Sequence, residues 1–207
     1  MFLYTDVNKK HLLETSRDYL ILSNPKEKAY DIFVVNETQF DRTAPMTIND
    51  EQGNVYRSVA HYIACRKIKF LMLSQEMFDD CLKNYTISFP ITEESCYCDF
   101  ETDLYTKYEQ EVSLLPETVR YSWREIYIQV AVESIMLMLE QHNYWVKELL
   151  KTGNKVLCEV SSSIAWGTDT ENKFLKIAYP KKWNGENGYG QALMITRTIL
   201  QENGGRI

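Results

Sequence analysis

No apolar run in this 207-residue chain approaches the ~18 residues that a bilayer-crossing helix requires. The opening MFLYTDVNKK also lacks a charged start followed by an apolar stretch. The sequence therefore predicts a soluble, cytoplasmic protein with no membrane association. An excess of positive charge is absent too: 23 Lys and Arg stand against 29 Asp and Glu, a net charge of -6. Such a chain has no global attraction for a phosphate backbone, so any nucleic-acid contact must come from a local patch. The five cysteines, Cys65, Cys81, Cys96, Cys98 and Cys158, are odd in number and irregularly spaced, unlike a secreted disulfide framework, and are read as reduced thiols. A zinc site built on Cys96-x-Cys98 would need two more ligands, and His11, His61 and His142 offer no C-x-x-C or H-x-x-x-H companion. No metal is expected. Neither a G-x-S-x-G turn nor a Ser-His-Asp spacing is present, which argues against a serine nucleophile despite the Ser161-Ser162-Ser163 run.

What is present is one core's worth of apolar residues, 44% of the chain, and an aromatic content of 13%. Phe2-Leu3-Tyr4, Tyr19 to Leu22 and Ile32 to Val35 are rich in strand-favouring residues and predict short strands. A turn-rich stretch from Asn36 to Gly53 then leads to Ser58, a good helix N-cap. Apolar residues from Val59 recur at helical spacing and predict a helix to about Leu73, followed by a second from Ser74 to Lys83. The segment 86–115 reads as a surface excursion with one helical piece around 105–112. Pro116 opens the longest periodic segment, through Trp123, Val130 and Leu139, which predicts a central core helix. A helix over 143–151 ending at Thr152-Gly153, a strand over 156–160 and a last helix over 188–201 complete the pattern, with the Asn203-Gly204-Gly205 tail expected to fray.

The last helix is preceded by Trp183-Asn184-Gly185-Glu186-Asn187-Gly188-Tyr189-Gly190. Free amides and the positive end of a helix dipole suit an anion such as phosphate, although the same glycines also suit a tight turn. A dinucleotide fold is excluded because Pro180-Lys181-Lys182 stands where the preceding strand would have to be. Lys181, Lys182 and Arg197 place cations on either side of the turn. Trp166-Gly167 suggests a ring left open to a flat ligand, or alternatively a buried core tryptophan.

Taken together these residues resemble the NADAR family. Its closing pattern Trp-x-Gly-x-Asn-x-x-Gly-x-x-Leu-Met-x-x-Arg is matched in full by Trp183, Gly185, Asn187, Gly190, Leu193, Met194 and Arg197. Thr152-Gly153 and Trp166-Gly167 stand in the expected order before it. Upstream, Gly53, Tyr56, Ser58, His61 and Lys67 match the glycine turn, aromatic, hydroxyl, histidine and lysine of the family, and Leu22-Ser23-Asn24 is a looser echo of its Ser-Asn-Phe. Residues 1–50, an extension, and 71–122, an insertion, match poorly.

Three positions depart from the family. Ala60 stands where it has glutamate before the histidine, Ser163 where many members have aspartate, and Asp169 where glycine is common after Trp-Gly.

The resemblance implies a helix-rich α+β single domain with a few short strands. It also implies an N-glycosidase acting on ADP-ribosylated nucleobases, as in reversal of guanine ADP-ribosylation, or on ribosylamino-pyrimidine phosphates of riboflavin synthesis. ADP-ribose or an ADP-ribosylated guanine nucleotide or DNA is the expected ligand, with no metal or redox cofactor. Position 60 and His61 are the expected catalytic positions. Ser23, Asn24, Lys67, Ser163, Trp166, Gly167, Asp169, Trp183, Gly185, Asn187, Gly190 and Arg197 are the expected ligand contacts, on elements expected to converge on one pocket. A carboxylate at position 60 would activate water, so the Ala60 chain is expected to be inactive. It is either an introduced Glu→Ala form or a natural pseudoenzyme that binds without cleaving.

Overall fold

The computed structural model describes residues 14–84, 102–170 and 176–207. It has the expected character, seven helices and four strands of two or three residues among the described residues. Two compact units emerge. The first comprises residues 1–41 and 139–207, the second residues 42–138. Among the described residues no helix is long and apolar enough to cross a membrane.

In the first unit, α1 (Arg17–Leu22) occupies the segment expected to be a strand. The reason is local: Ser16 is an extended N-cap whose hydroxyl accepts from the Tyr19 amide, and Asp18 sits in the first turn. Arg17 Nε also donates to the Pro180 carbonyl at 3.2 Å. The expected strand at Phe2-Leu3-Tyr4 lies outside the described residues. β1 (Ile32–Val34) pairs in parallel with β4 (Val156–Cys158), with Phe33 opposite Leu157. Beyond Cys158 the pairing passes to a side chain. Asn36 Oδ1 accepts from the Val160 amide at 2.7 Å and its Nδ2 donates to the Val160 carbonyl, which is why the strand ends earlier than its apolar residues suggest.

α6 (Tyr144–Lys151) ends where Gly153 takes the left-handed conformation at φ 57°, and α7 (Gly188–Glu202) packs against both α6 and β4. The tail does not fray. Gly204 and Gly205 adopt positive φ, and the Gly205 amide returns to the Leu200 carbonyl at 2.6 Å, a glycine-closed helix end.

In the second unit, β2 (Ile48–Asn49) and β3 (Val55–Tyr56) form an antiparallel hairpin that delivers the chain to α2 (Val59–Phe70). Ser58 caps α2 as expected, accepting from the His61 amide at 3.1 Å. The helix stops three residues short of Leu73 because Met72 turns left-handed at φ 53° and the Leu73 amide bonds back to the Ile68 carbonyl. α3 (Gln75–Asn84) and α4 (Thr102–Ser113) follow, joined where Ser74 donates through its amide and hydroxyl to the Glu111 carboxylate. α5 (Glu117–Gln141) is the long helix expected after Pro116. Its Trp123 is buried and lies 5.7 Å from the Phe70 ring.

The hairpin turn is organised by one carboxylate. Asp50 accepts from the amides of Gln52 and Asn54, from Asn54 Nδ2 and from the Tyr56 hydroxyl at 2.7–3.0 Å. Partial burial works to raise its pKa, but the four hydrogen bonds outweigh that and hold it below the usual carboxylate range. The contribution to stability is therefore complete above the unfolded value near about 3.9 and is lost as the pH falls through the lower folded value. Replacing Asp50 by Asn should lower the urea midpoint at pH 7 and flatten its fall between about pH 5 and 2. An unchanged acid limb would show that this carboxylate does not organise the turn.

Candidate functional site

The expected site residues fall into two groups, one in each unit. In the first unit they gather around the start of α7. Ser163 opens a tight turn: its hydroxyl accepts from the Trp166 amide at 3.1 Å and its carbonyl from the Gly167 amide at 2.8 Å. An aspartate would supply the same side-chain acceptor, so serine keeps the turn with less charge. Two residues after Gly167 the chain needs a left-handed residue. Asp169 provides it at φ 42°, and this explains glycine as the common occupant, since Asp is one of the few other residues that tolerates the conformation.

The 164–168 segment and the 185–189 segment are laced together through backbone alone. The amides of Gly185, Glu186, Asn187, Gly188 and Tyr189 donate to the carbonyls of Thr168, Ile164, Gly167, Ala165 and Trp166 at 2.6–3.2 Å. The expectation that these amides hold phosphate is thereby corrected. They already face carbonyl oxygens, and a phosphate would have to displace five hydrogen bonds.

Gly185 serves this contact, and two further glycines make close approaches beside it. A Cβ on Gly185 would lie 2.2 Å from the Gly167 carbonyl oxygen, one on Gly190 2.1 Å from that of Leu157, and one on Gly167 2.2 Å from Ser161 Oγ. Asn187, left-handed at φ 55° and 1% exposed, accepts from the Glu159 amide at 3.1 Å and donates to the Leu157 carbonyl at 2.9 Å. Its side chain pins α7 to the end of β4.

The two tryptophans expected to offer a stacking face are enclosed. Trp166 is 0% and Trp183 1% exposed, and Trp183 Nε1 donates to the Ile177 carbonyl at 2.9 Å. The alternative reading of Trp166-Gly167, a core tryptophan, is the one realised. Arg197 is buried as well, with Nη1 donating to Thr152 Oγ1 at 2.8 Å, which ties α7 to the end of α6. Burial draws its pKa down to about 10, which leaves it charged at neutral pH.

Ser23 and Asn24 close α1, where Asn24 Nδ2 donates to the Lys28 carbonyl at 2.6 Å and the Ser23 hydroxyl meets that of Tyr30. Asn24 lines a cavity of about 220 Å³ with Lys28, Tyr30, Tyr179, Lys181 and Lys182, a cationic and aromatic recess. Lys182 Nζ lies 4.6 Å from the centre of the Tyr179 ring, and Lys181 pairs with Glu27. Thr38-Gln39-Phe40, a hydroxyl, an amide and a phenylalanine in that order, form a local turn in the same unit. Thr38 Oγ1 accepts from the Phe40 amide at 3.1 Å, and Phe40 is buried with its ring 6.5 Å from that of Trp145.

In the second unit Ala60, His61 and Lys67 share α2. Ala60 is 3% exposed and its amide donates to the Arg42 carbonyl at 2.9 Å. His61 is fully buried. Its Nδ1 accepts from the Arg57 amide at 3.0 Å, which places the proton on Nε2, 3.1 Å from the Cys81 carbonyl. Lys67 is 7% exposed with Nζ 4.9 Å above the Tyr108 ring, a cation–π contact. His61, Cys65 and Cys81 bring their ligand-type atoms within 4.8 Å of one another. The His-x-x-x-Cys spacing of 61 and 65, one helical turn on one face, was the legible signal for this cluster.

A helix-rich α+β fold with a Trp-Gly turn laced to a Trp-x-Gly-x-Asn-x-x-Gly helix entry defines a class, and comparison names it. The chain matches the NADAR domain model over residues 14–201 and belongs to that family. Among solved structures it is similar to the E. coli protein YbiA, determined by NMR, with 18% identity, a TM-score of 0.55, and coverage of 86% of this chain and 89% of that one. No curated protein matches the chain.

Because a Cβ on Gly190 would meet the Leu157 carbonyl oxygen, Gly190→Ala should destabilise the chain by about 3 kcal/mol in urea titration with no ligand present. A variant of full stability that had lost only ligand affinity would overturn the packing role.

Proposed function

We propose that this chain recognises an ADP-ribosyl group joined by an N-glycosidic bond to guanine, in a nucleotide or in DNA. In the form carrying Ala60 it binds this ligand without cleaving it. Membership of the NADAR family supports the glycosidase class. The observation that carries the finer reading is position 60. It lies in the first turn of α2, beside the Ser58 cap and before His61, within a motif otherwise matched, and it presents a methyl group.

The proposed reaction is a hydrolysis. Water adds to the anomeric carbon, the C–N bond breaks with its electron pair leaving on the base nitrogen, and the proton of the water passes to a carboxylate. Positive charge grows on the ribose in the transition state, and a nearby carboxylate stabilises it. A glutamate at the 3%-exposed position 60 would also be partly desolvated, which raises a carboxyl pKa toward the range where it serves as a general base. Alanine can do neither. The Glu133 carboxylate near this helix is engaged elsewhere, accepting from the Tyr62 hydroxyl at 2.6 Å and pairing with Arg66 at 3.4 Å.

An acidic chain is poorly suited to tracking along DNA, but a single extruded base needs only a local contact. The ligand is accordingly the modified guanine itself rather than a length of duplex.

The test compares the present chain with Ala60→Glu and Ala60→Gln on ADP-ribosylated guanine nucleotides and oligonucleotides, with release of ADP-ribose followed by chromatography. The Glu form should be faster by a factor of about 10² to 10⁴, while the Gln form, similar in volume, stays slow. Calorimetry should show ADP-ribose binding to all three. Equal rates for the present chain and a folded Glu form would sink the enzyme reading, and absence of binding would sink the ligand.

A further inference from the structure

Cys65 and Cys81 have no part in the proposed hydrolysis, yet they form the most chemically loaded buried pair among the described residues. Cys65 lies on α2, one turn after His61, and Cys81 lies on α3. Both are 0% exposed, and Cys65 Sγ donates to Cys81 Sγ across 3.3 Å. Bond formation requires the two sulfurs to close to about 2.05 Å, a movement of little more than 1 Å.

Two chemistries suit two thiols beside a histidine: a metal centre and an oxidisable dithiol. His61 discriminates between them. Its Nδ1 lone pair is taken by the Arg57 amide and its Nε2 carries the proton toward the Cys81 carbonyl. For Nε2 to ligate a cation, the proton would have to move to Nδ1, where it would face the Arg57 N–H. A metal is therefore disfavoured by the backbone around the ring rather than by the number of ligands. The surroundings of Cys65 favour the dithiol instead. Burial opposes a thiolate at Cys65, but the neighbouring Cys81 thiol and His61 ring, with the Lys69 charge, outweigh it and hold its pKa below the usual thiol range. Cys158, buried without such neighbours, is pushed up instead.

We propose that Cys65 and Cys81 are a thiol oxidation site, closed by a hydroperoxide into a disulfide that joins α2 to α3. The Cys65 thiolate attacks one oxygen of the peroxide, the O–O bond breaks, and the departing hydroxide takes up a proton to leave as water. Cys65 is then a sulfenic acid. The Cys81 sulfur attacks it, the S–O bond breaks, and the thiol proton leaves with the hydroxide as a second water. Two thiols and one peroxide give one disulfide and two waters. The closed form fixes the helix carrying position 60 and His61 to its neighbour, so it should be the more resistant to unfolding.

The experiment treats the folded full-length chain with stoichiometric hydrogen peroxide, alkylates the remaining thiols in denaturant and maps the peptides. The expected product is two hydrogens lighter than the starting chain, has three of its five cysteines alkylated, and contains a Cys65–Cys81 linked peptide that reductant releases. Its thermal midpoint should exceed that of the reduced chain by several degrees. His61→Gln, checked for folding by circular dichroism, should slow closure by at least about tenfold. The peptide map of the unaltered chain decides the matter even if that variant does not fold. Stable oxygen adducts on Cys65 without the link, five alkylated cysteines after treatment, or a link between other cysteines would overturn the proposal. Stoichiometric zinc in the purified chain, released together with protection of Cys65 and Cys81, would replace it with a metal centre.

Discussion

Five backbone hydrogen bonds between residues 164–168 and 185–189 are the constraint on which the first unit depends. Backbone can lace to backbone at that separation only where no Cβ intervenes. Gly185 meets that condition, since a Cβ there would lie 2.2 Å from the Gly167 carbonyl oxygen, while Gly167 and Gly190 make equally close approaches to Ser161 and to the Leu157 carbonyl. The lacing also answers the question raised by any helix start: where its first amides find partners. Gly188 and Tyr189, at the beginning of α7, donate to Ala165 and Trp166, so the helix is capped by the Trp-Gly turn rather than by a side chain or an anion. Asn187 then fixes the assembly to β4 with both ends of its amide. Leaving the Glu159 amide and the Leu157 carbonyl unpaired in a buried place would cost about 1–3 kcal/mol each.

This constraint separates two meanings of a sequence motif. Glycines before a helix suit an anion because of what the amides can do when free, and sequence carries no information about whether a distant segment already occupies them. The partner here is a loop some twenty residues upstream, held in place by Ser163. Likewise, Trp166 and Trp183 are equally consistent in sequence with a stacking face and with a core, and burial decides for the core. Elements whose signal is local were legible. Ser58 as the cap of α2, Gly153 after α6 and the long helix after Pro116 each follow from a few adjacent residues. Tyr19 to Leu22 misled because its residues favour strands, while the Ser16 cap and the Arg17 bond to Pro180 hold it helical. The motif positions could be listed from the sequence, but what each side chain touches depends on contacts tens of residues away, such as Asn187 with Leu157 and Arg197 with Thr152.

The second unit shows the same economy on a smaller scale. His61 looks like a catalyst in a linear reading, being the histidine of a Glu-His family pattern. In the fold it bridges the Arg57 amide before α2 and the Cys81 carbonyl on α3, with its ring edge-on to Tyr56 at 5.5 Å. A buried imidazole with both nitrogens engaged is a fixed structural joint, and the same engagement determines which tautomer the neighbouring Cys65 experiences. Lys67, covering the Tyr108 ring, belongs to the same packing.

Position 60 differs in kind from its neighbours. Ser58, His61 and Lys67 all contribute side-chain contacts that hold α2, and Asn187, Arg197 and the glycines do so for α7. Ala60 contributes a backbone hydrogen bond to Arg42 and a small buried methyl, and makes no side-chain hydrogen bond. It follows that a chain can keep every motif position needed to build the NADAR fold while exchanging the one carboxylate that, on the proposed mechanism, has no part in building it. A motif match of this kind reports architecture first, and the proposed chemistry rests on a position that the architecture does not use.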